Sequence, residues 1–179
     1  FRSDVSILVS LLQAMNGYSS VPFVRAPWND PVVIKRILDA GAMGIHVPYV
    51  NTYDEALLAA RSCKYPPTGI RGTAGSPRAA GFGTNRFQYL DRANDQIVVM
   101  VAMETPEAVE NLDRMLTIDL IDGIFIGPMD LSTSMGHMGD FTHPEVQKMI
   151  NRIEEKVLKH SDKFLGTVAS NMAGAKALY

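Results

Sequence analysis

Three charged side chains stand where apolar runs of this chain give out. Arg25 follows "VPFV", Glu104 follows "QIVVMVAM" and Asp130 follows "GIFIGPM". Two carboxylates with no nearby pair of cysteines or histidines suit a hard divalent cation. Mg²⁺ takes one or two carboxylates and leaves its other positions to water and substrate oxygens. The backbone at Gly127, Pro128 and Met129 precedes a helix, where free N–H groups can bind a carboxylate or phosphate. An arginine at such a place supplies a fixed cation for an oxyanion. Each residue also has a plain structural role open to it. Asp130 and Glu104 can cap the helices that follow them, and Arg25 can simply pair with an acid.

What would bring the three together is the order of elements. "SDVSILVSLLQAMNGY" reads as a helix with Ser3 or Asp4 as N-cap and Gly17 as its stop. "VPFVRAP" is a short strand ending at Arg25. "DPVVIKRILDAG" restarts a helix, with Asp30 as cap, Pro31 in the first turn and Gly41 as terminator. "MGIHVPYV" is a strand, and "TYDEALLAARSCKY" is a helix with Thr52 and Glu55 at capping-box spacing. "PPTGIRGTAGSPRAAGFGTNR" reads as a long loop, a length that is usually functional or disordered. A short helix over Phe87 to Ala93 leads to the strand "QIVVMVAMET", the helix "PEAVENLDRMLTI" and the strand "IDGIFIGPMD". The helix "HPEVQKMINRIEEKVLKH", the strand "KFLGTVA" and the start of a helix in "NMAGAKALY" complete the series.

Strand and helix therefore alternate five times, and the strands are nearly continuous apolar runs. That is the α/β pattern of a parallel sheet covered on both faces. A doubly wound sheet and an eight-stranded barrel both follow it, although five units are too few to close a barrel. The first turn lacks G-x-G-x-x-G, and no G-x-x-x-x-G-K-[ST] loop occurs. In either architecture ligands collect at the carboxyl ends of the strands, so Arg25, Glu104 and Asp130 are expected to share one mouth.

The bulk numbers narrow the function classes. The 179 residues suffice for one domain with a sizeable core, and residues 1–179 are read as a single domain. A formal net charge of −2 offers no field for nucleic acid or an anionic membrane. No apolar run approaches the ~20 residues of a bilayer span. Cys63 is the lone cysteine, which suits a reducing cytosol. The chain opens on Phe1 and stops within a helical pattern, so it reads as an internal fragment of a cytoplasmic protein. His46 lies inside a strand and reads as a satisfied core residue. His143 reads as a helix cap, His160 as a helix end, and His137 as a loop residue able to approach the mouth. Lys35, Lys64, Lys148, Lys156, Lys159 and Lys176 read as helix or loop positions, and Lys163 precedes a strand. None ends a strand, as a Schiff-base lysine would.

The stretches "VRAPWNDPVVIKRILDAGAMG", "ARSCKYPPTGIRG", "ANDQIVVMVAMET", "AVENLD" and "DGIFIGPMDLSTSMG", with "HPEV" beyond, resemble the HpcH/HpaI family of metal-dependent 2-oxo acid aldolases. The resemblance runs from about Leu11 to Val168. It implies a TIM (β/α)₈ barrel, present here in part and lacking the first strands and the last. It also implies Mg²⁺ (or Mn²⁺ or Co²⁺) on Glu104 and Asp130, and Arg25 as the arginine facing the transition state. Backbone at Met129 and Asp130 would hold the pyruvyl carboxylate, and Asp39 would support a catalytic histidine lying upstream of Phe1. The partner implied is a small 2-oxo acid, and the full-length relatives are expected to be homo-oligomers, trimers or hexamers, whose subunits complete one another's sites. Two positions depart from the family pattern: Ala102 stands where a glutamine is frequent, and Gly81 stands where some members have arginine.

The reaction implied is the cleavage or formation of a 4-hydroxy-2-oxo acid, with pyruvate and an aldehyde on the other side. Trp28, Ile126 and Pro48 would wall the mouth and exclude water. Two alternatives stand beside it. One is a thioester lyase like the citrate lyase β-chain or a malyl-CoA lyase. The other is an incomplete fragment that binds metal and 2-oxo acid without turnover.

Overall fold

The structure is a computed structural model, and it describes residues 5–160, 162–169, 172 and 176. The cap expected at Ser3 or Asp4 and most of the last expected helix lie outside the described residues.

The first helix, α1, covers Val5–Ala14. Strand β1 (Phe23–Arg25) leads to α2 (Pro31–Ala40), and β2 (Gly44–Val47) leads to α3 (Tyr53–Cys63). A 3₁₀ turn at Arg78–Gly83 and α4 (Arg86–Gln96) precede β3 (Val98–Met103) and α5 (Pro106–Met115). Then follow β4 (Gly123–Ile126), α6 (Pro128–Ser134), α7 (Pro144–Val157) and β5 (Phe164–Gly166).

The five strands form one parallel sheet in the order β1-β2-β3-β4-β5. This order separates the two architectures that the alternation leaves open. A doubly wound sheet reverses direction and buries its first strand in the middle. Here every crossover steps the same way and β1 stands at an edge, which is the winding of a (β/α)₈ barrel.

Local chemistry explains the helix boundaries. Asp30 accepts the N–H groups of Val32 and Val33, and Pro31 sets the first turn of α2. Gly41 ends α2 at φ 110°, a left-handed conformation open to glycine. Thr52 and Glu55 close a reciprocal capping box on α3.

The strand register gives the sheet two distinct faces. Ile45, Val47, Val99, Val101, Met103, Ile124 and Ile126 are buried in one core with Ile34, Leu38, Leu112 and Ile153 of the surrounding helices. Full burial of each such side chain contributes roughly 2 kcal/mol. The alternate residues Arg25, His46, Met100, Ala102 and Phe125 share the other, inner face. No helix among the described residues is long and apolar enough to cross a membrane.

Three sequence expectations change in detail. The "IDGIFIGPMD" strand stops at Ile126, because Gly127-Pro128 already opens α6. The helix expected over Phe87 to Ala93 runs from Arg86 to Gln96. Ile126 belongs to the core between sheet and helices and is therefore no wall of the mouth.

Candidate active site at the carboxyl ends of the strands

Glu104 follows β3 directly and is 2% exposed. Its Oε2 accepts the backbone N–H of Tyr49 at 2.8 Å, and its Oε1 accepts Arg25 Nη2 at 3.3 Å. The neighbouring helix α5 is capped by Thr105, whose hydroxyl accepts Ala108 N–H. Glu104 is therefore free of the capping duty that would have explained it. The side chain is close to Gly127, where a Cβ would lie 2.7 Å from Glu104 Cγ and 3.0 Å from Oε1. Glycine at 127 is what admits the carboxylate to this position.

Asp130 sits in the first turn of α6, not at the end of β4. Gly127 is the N-cap residue and no side chain caps the helix, so Asp130 does not cap it either. Its half-buried carboxylate makes none of the ion pairs found among the described residues. Pro128 has no N–H, and the Gly127 N–H is taken by Met103 O at 3.2 Å. That leaves Met129 and Asp130 N–H without an intrahelical acceptor. Ser134 Oγ, 3.0 Å from Glu104 O, ties α6 to the end of β3. Arg25 at the end of β1 reaches across β2 to Glu104, with half of its side chain exposed. The structure thus gathers Arg25 with Glu104, and sets Gly127 against Glu104 at the start of the helix that carries Pro128, Met129 and Asp130.

The ligand types are those that a hard divalent cation takes: carboxylates unencumbered by helix capping and no thiolate, with a glycine cradle that keeps Glu104 in place. The other candidate cluster is His137, His143 and Glu145, whose ligand atoms lie within 4.8 Å of one another. Those groups already serve α7: His143 Nδ1 accepts Glu145 N–H at 3.3 Å, and His137 Nε2 lies 3.0 Å from Glu145 Oε2. The His143 ring stacks on His137 at 3.6 Å between centroids. His143 is thus the cap that the sequence suggests, and His137 is committed to that helix end.

Asp39 is not brought to the mouth. It lies in the last turn of α2, which returns roughly 15 Å toward the amino ends of the strands. There its Oδ1 accepts Arg71 Nη2 at 2.7 Å and its other oxygen pairs with Lys35. Arg71 is wholly buried over the Tyr65 ring, 4.5 Å from its centroid, and also donates to the Tyr89 hydroxyl at 2.9 Å.

Two residues gain weight from the structure. His46 is buried on the inner face, its ring 4.4 Å from that of Phe125, and its Nε2 has no hydrogen-bond partner among the described residues. Burial, with a smaller contribution from the Arg25 charge, pushes its pKa down to about 4. The imidazole is therefore neutral at neutral pH. Tyr49 holds φ at 52°, rare for a bulky residue, while its N–H is fixed on Glu104. Register with β3 and β4 could have flagged His46, but nothing in its neighbours reveals the conformation of Tyr49.

Residues 1–178 match the family described as HpcH/HpaI aldolase/citrate lyase. The chain belongs to this family. A 5-keto-4-deoxy-D-glucarate aldolase of Escherichia coli (strain K12) is 42% identical over 158 residues, covering 88% of this chain and 61% of that protein. A 4-hydroxy-2-oxo-heptane-1,7-dioate aldolase of Klebsiella pneumoniae is 45% identical over 175 residues, covering 97% of this chain and 65% of that one. The crystal structure of an HpcH/HpaI aldolase/citrate lyase family protein from Burkholderia cenocepacia J2315 superposes with a TM-score of 0.91 at 37% identity. That match covers 97% of this chain and 69% of the other. The chain spans about three fifths of the length of the curated aldolases it matches first. For an HpcH/HpaI chain, the sequential sheet and the acids beyond β3 and β4 are parts of a partial TIM-barrel-like fold.

Proposed function

We propose that the protein containing this chain is a divalent-metal-dependent aldolase that cleaves a 4-hydroxy-2-oxo acid to pyruvate and an aldehyde. Residues 1–179 are read as one internal piece of its barrel, with the remaining strands supplied by the rest of the protein. The observation that carries the reading is a pair of acids that cap no helix: Glu104, packed on Gly127 and paired with Arg25, and Asp130, in the first turn of the helix that Gly127 opens. Relatives named as aldolases acting on two different 2-oxo acids support the same chemistry.

Glu104 and Asp130 would hold Mg²⁺, or Mn²⁺ or Co²⁺ in its place. Such an ion supplies Lewis acidity toward the 2-oxo group. The chain's own residues do the rest. Met129 and Asp130 N–H groups, facing away from the helix interior, receive the substrate carboxylate. Arg25 turns from Glu104 to the keto oxygen and donates to it as negative charge grows there. In cleavage the 4-hydroxyl gives its proton to a base and the C3–C4 electron pair stays with C3. C4 leaves as the aldehyde carbon, and C3 then takes a proton to become the methyl of pyruvate. We assign the base to a histidine in the part of the protein preceding Phe1. Asp39, at the far end of α2, can support such a histidine only in a second copy, so the working unit is a homo-oligomer.

The test is methyl hydrogen–deuterium exchange of pyruvate in D₂O, followed by NMR on the full-length protein. Exchange should need a divalent ion, stop with EDTA, and fall to background in Glu104→Gln and Asp130→Asn. Exchange that persists in both variants disproves the assignment.

A further inference from the structure

The two carboxylate oxygens of Glu104 have different neighbours. Oε2 accepts the Tyr49 N–H at 2.8 Å. That donor is set in a backbone of unusual conformation, left-handed at φ 52°, which persists in a bulky residue only where its surroundings hold it. Oε1 accepts Arg25 Nη2 at 3.3 Å. The same Oε1 is turned toward Gly127, 3.0 Å from where a Cβ at that residue would lie. Gly127 opens α6, and Asp130 stands in the first turn of that helix. The oxygen that Arg25 occupies is therefore the one on the side of the second acid.

The two members of the pair also differ in freedom. The Glu104 side chain is 3% exposed and the Arg25 side chain 50%. The bond between them is long for a charge-assisted one, which normally spans about 2.8 Å. A half-exposed guanidinium held in this way can swing into the open mouth, where water solvates it, but the acid cannot follow. A buried carboxylate that loses its counter-charge is costly unless another cation takes the place. Arg25 can leave cheaply, then, only as a second positive charge arrives at Oε1.

We infer that Arg25 and the divalent ion compete for Oε1 of Glu104, so that Arg25 is released to the 2-oxo acid only by binding of the ion. This rests on the metal-dependent aldolase reading above and deepens it by fixing an order, ion first and 2-oxo acid second. Tyr49 N–H is the positioning group of the exchange. It holds Oε2 whichever cation is on Oε1, so the carboxylate keeps its aim while its partner changes. Charge at the buried acid stays balanced throughout, because one cation departs as the other arrives.

The experiment measures Mn²⁺ binding to the full-length protein by isothermal titration calorimetry, with no 2-oxo acid present. Arg25→Met should bind Mn²⁺ about tenfold more tightly than the wild type, because the competing charge-assisted bond is gone. Arg25→Gln, which stays polar but loses the charge, should shift the same way. Arg36→Met removes an exposed positive charge from a cleft that Arg25 also lines, and should leave the affinity at the wild-type value. Without added ion Arg25→Met should melt below the wild type, and saturating Mn²⁺ should narrow that gap. Unaltered or weaker Mn²⁺ binding in both Arg25 variants overturns the inference. Equal tightening in Arg36→Met does so too, since it marks a diffuse field and not competition for one oxygen. If the wild type binds no Mn²⁺, or binds it equally well after Glu104→Gln, the metal-dependent reading fails and the inference falls with it. Binding that Glu104→Gln abolishes and the Arg25 variants leave unaltered overturns the inference alone.

Discussion

Glu104 packs so closely on Gly127 that a Cβ at 127 would lie 2.7 Å from its Cγ. The backbone of Gly127, at φ −98° and ψ 84°, is open to any L-residue. Gly127→Ala should therefore fold and still displace the Glu104 carboxylate. The expected outcome is unchanged far-UV circular dichroism with loss of the thermal stabilisation that the proposed metal site predicts Mg²⁺ will give the wild-type protein. Undiminished Mg²⁺ stabilisation would show that Glu104 does not need this cradle.

In the proposed reaction Arg25 donates to the keto oxygen on which negative charge develops. Removing one such donor costs roughly 3 kcal/mol of transition-state stabilisation, or about a hundredfold in rate. Arg25→Ala should lower kcat for aldol cleavage by that order in steady-state kinetics. Arg25→Lys should recover little, since a point charge on a flexible stem lacks the guanidinium fork. Turnover left intact in Arg25→Ala would remove the arginine from the mechanism.

His46 makes the fold acid-sensitive. Its pKa is lowered from 6.5 to about 4 by burial. Above 6.5 the ring is neutral in both folded and unfolded chains and adds no pH dependence. Between 6.5 and about 4 the unfolded chain binds the extra proton, so stability falls as pH falls through that window. The full loss is roughly 3 kcal/mol. Urea unfolding at pH 7 and pH 4.5 should show a smaller difference between the two pH values for His46→Leu than for the wild type.

Asp39 and Glu104 lie at opposite ends of the sheet. If Asp39 serves a neighbour's site, Asp39→Asn and Glu104→Gln proteins, each inactive alone, should regain activity when unfolded and reassembled together. Random mixing would leave some subunit contacts with both native residues. The readout is pyruvate production from the mixture against each variant reassembled separately. An inactive mixture would confine both acids to one subunit's site, or to no site.

Asp39 also tests the core. The Arg71 guanidinium is fully buried and pairs with it at 2.7 Å. Removing the carboxylate leaves a buried charge short of its partner, which costs about 3 kcal/mol or more. Asp39→Asn should lower the urea midpoint without changing the slope, and an unchanged midpoint would mean that water and the Tyr89 hydroxyl suffice to hold the Arg71 guanidinium.

Much of this molecule is written locally. Asp30-Pro31, Thr52 with Glu55, Thr105-Pro106 and Gly41 mark helix ends by short-range hydrogen bonds and allowed backbone angles, so spacing alone finds them. The apolar runs at "FVR", "GIHV", "VVMVAM" and "GIFI" declare buried parallel strands for the same reason. The end of β4 is less legible, because Gly127-Pro128 can close a strand or open a helix, and only the hydrogen bond from Leu131 N–H to Gly127 O shows which.

The sequence by itself determined the alternation of strand and helix, the family, and the residue types able to hold a cation and an oxyanion. The alternation alone left a doubly wound sheet and a barrel open, and only the family resemblance pointed to the barrel, because strand order is a property of pairing between distant segments. Tertiary structure decided that order, put Arg25 within 3.3 Å of Glu104 across 79 residues, and relieved both acids of capping. It also sent Asp39 to the other end, since a ten-residue helix carries its last turn away from the strand ends that its first turn adjoins. Contacts of that kind depend on how the chain returns upon itself, which no local pattern encodes.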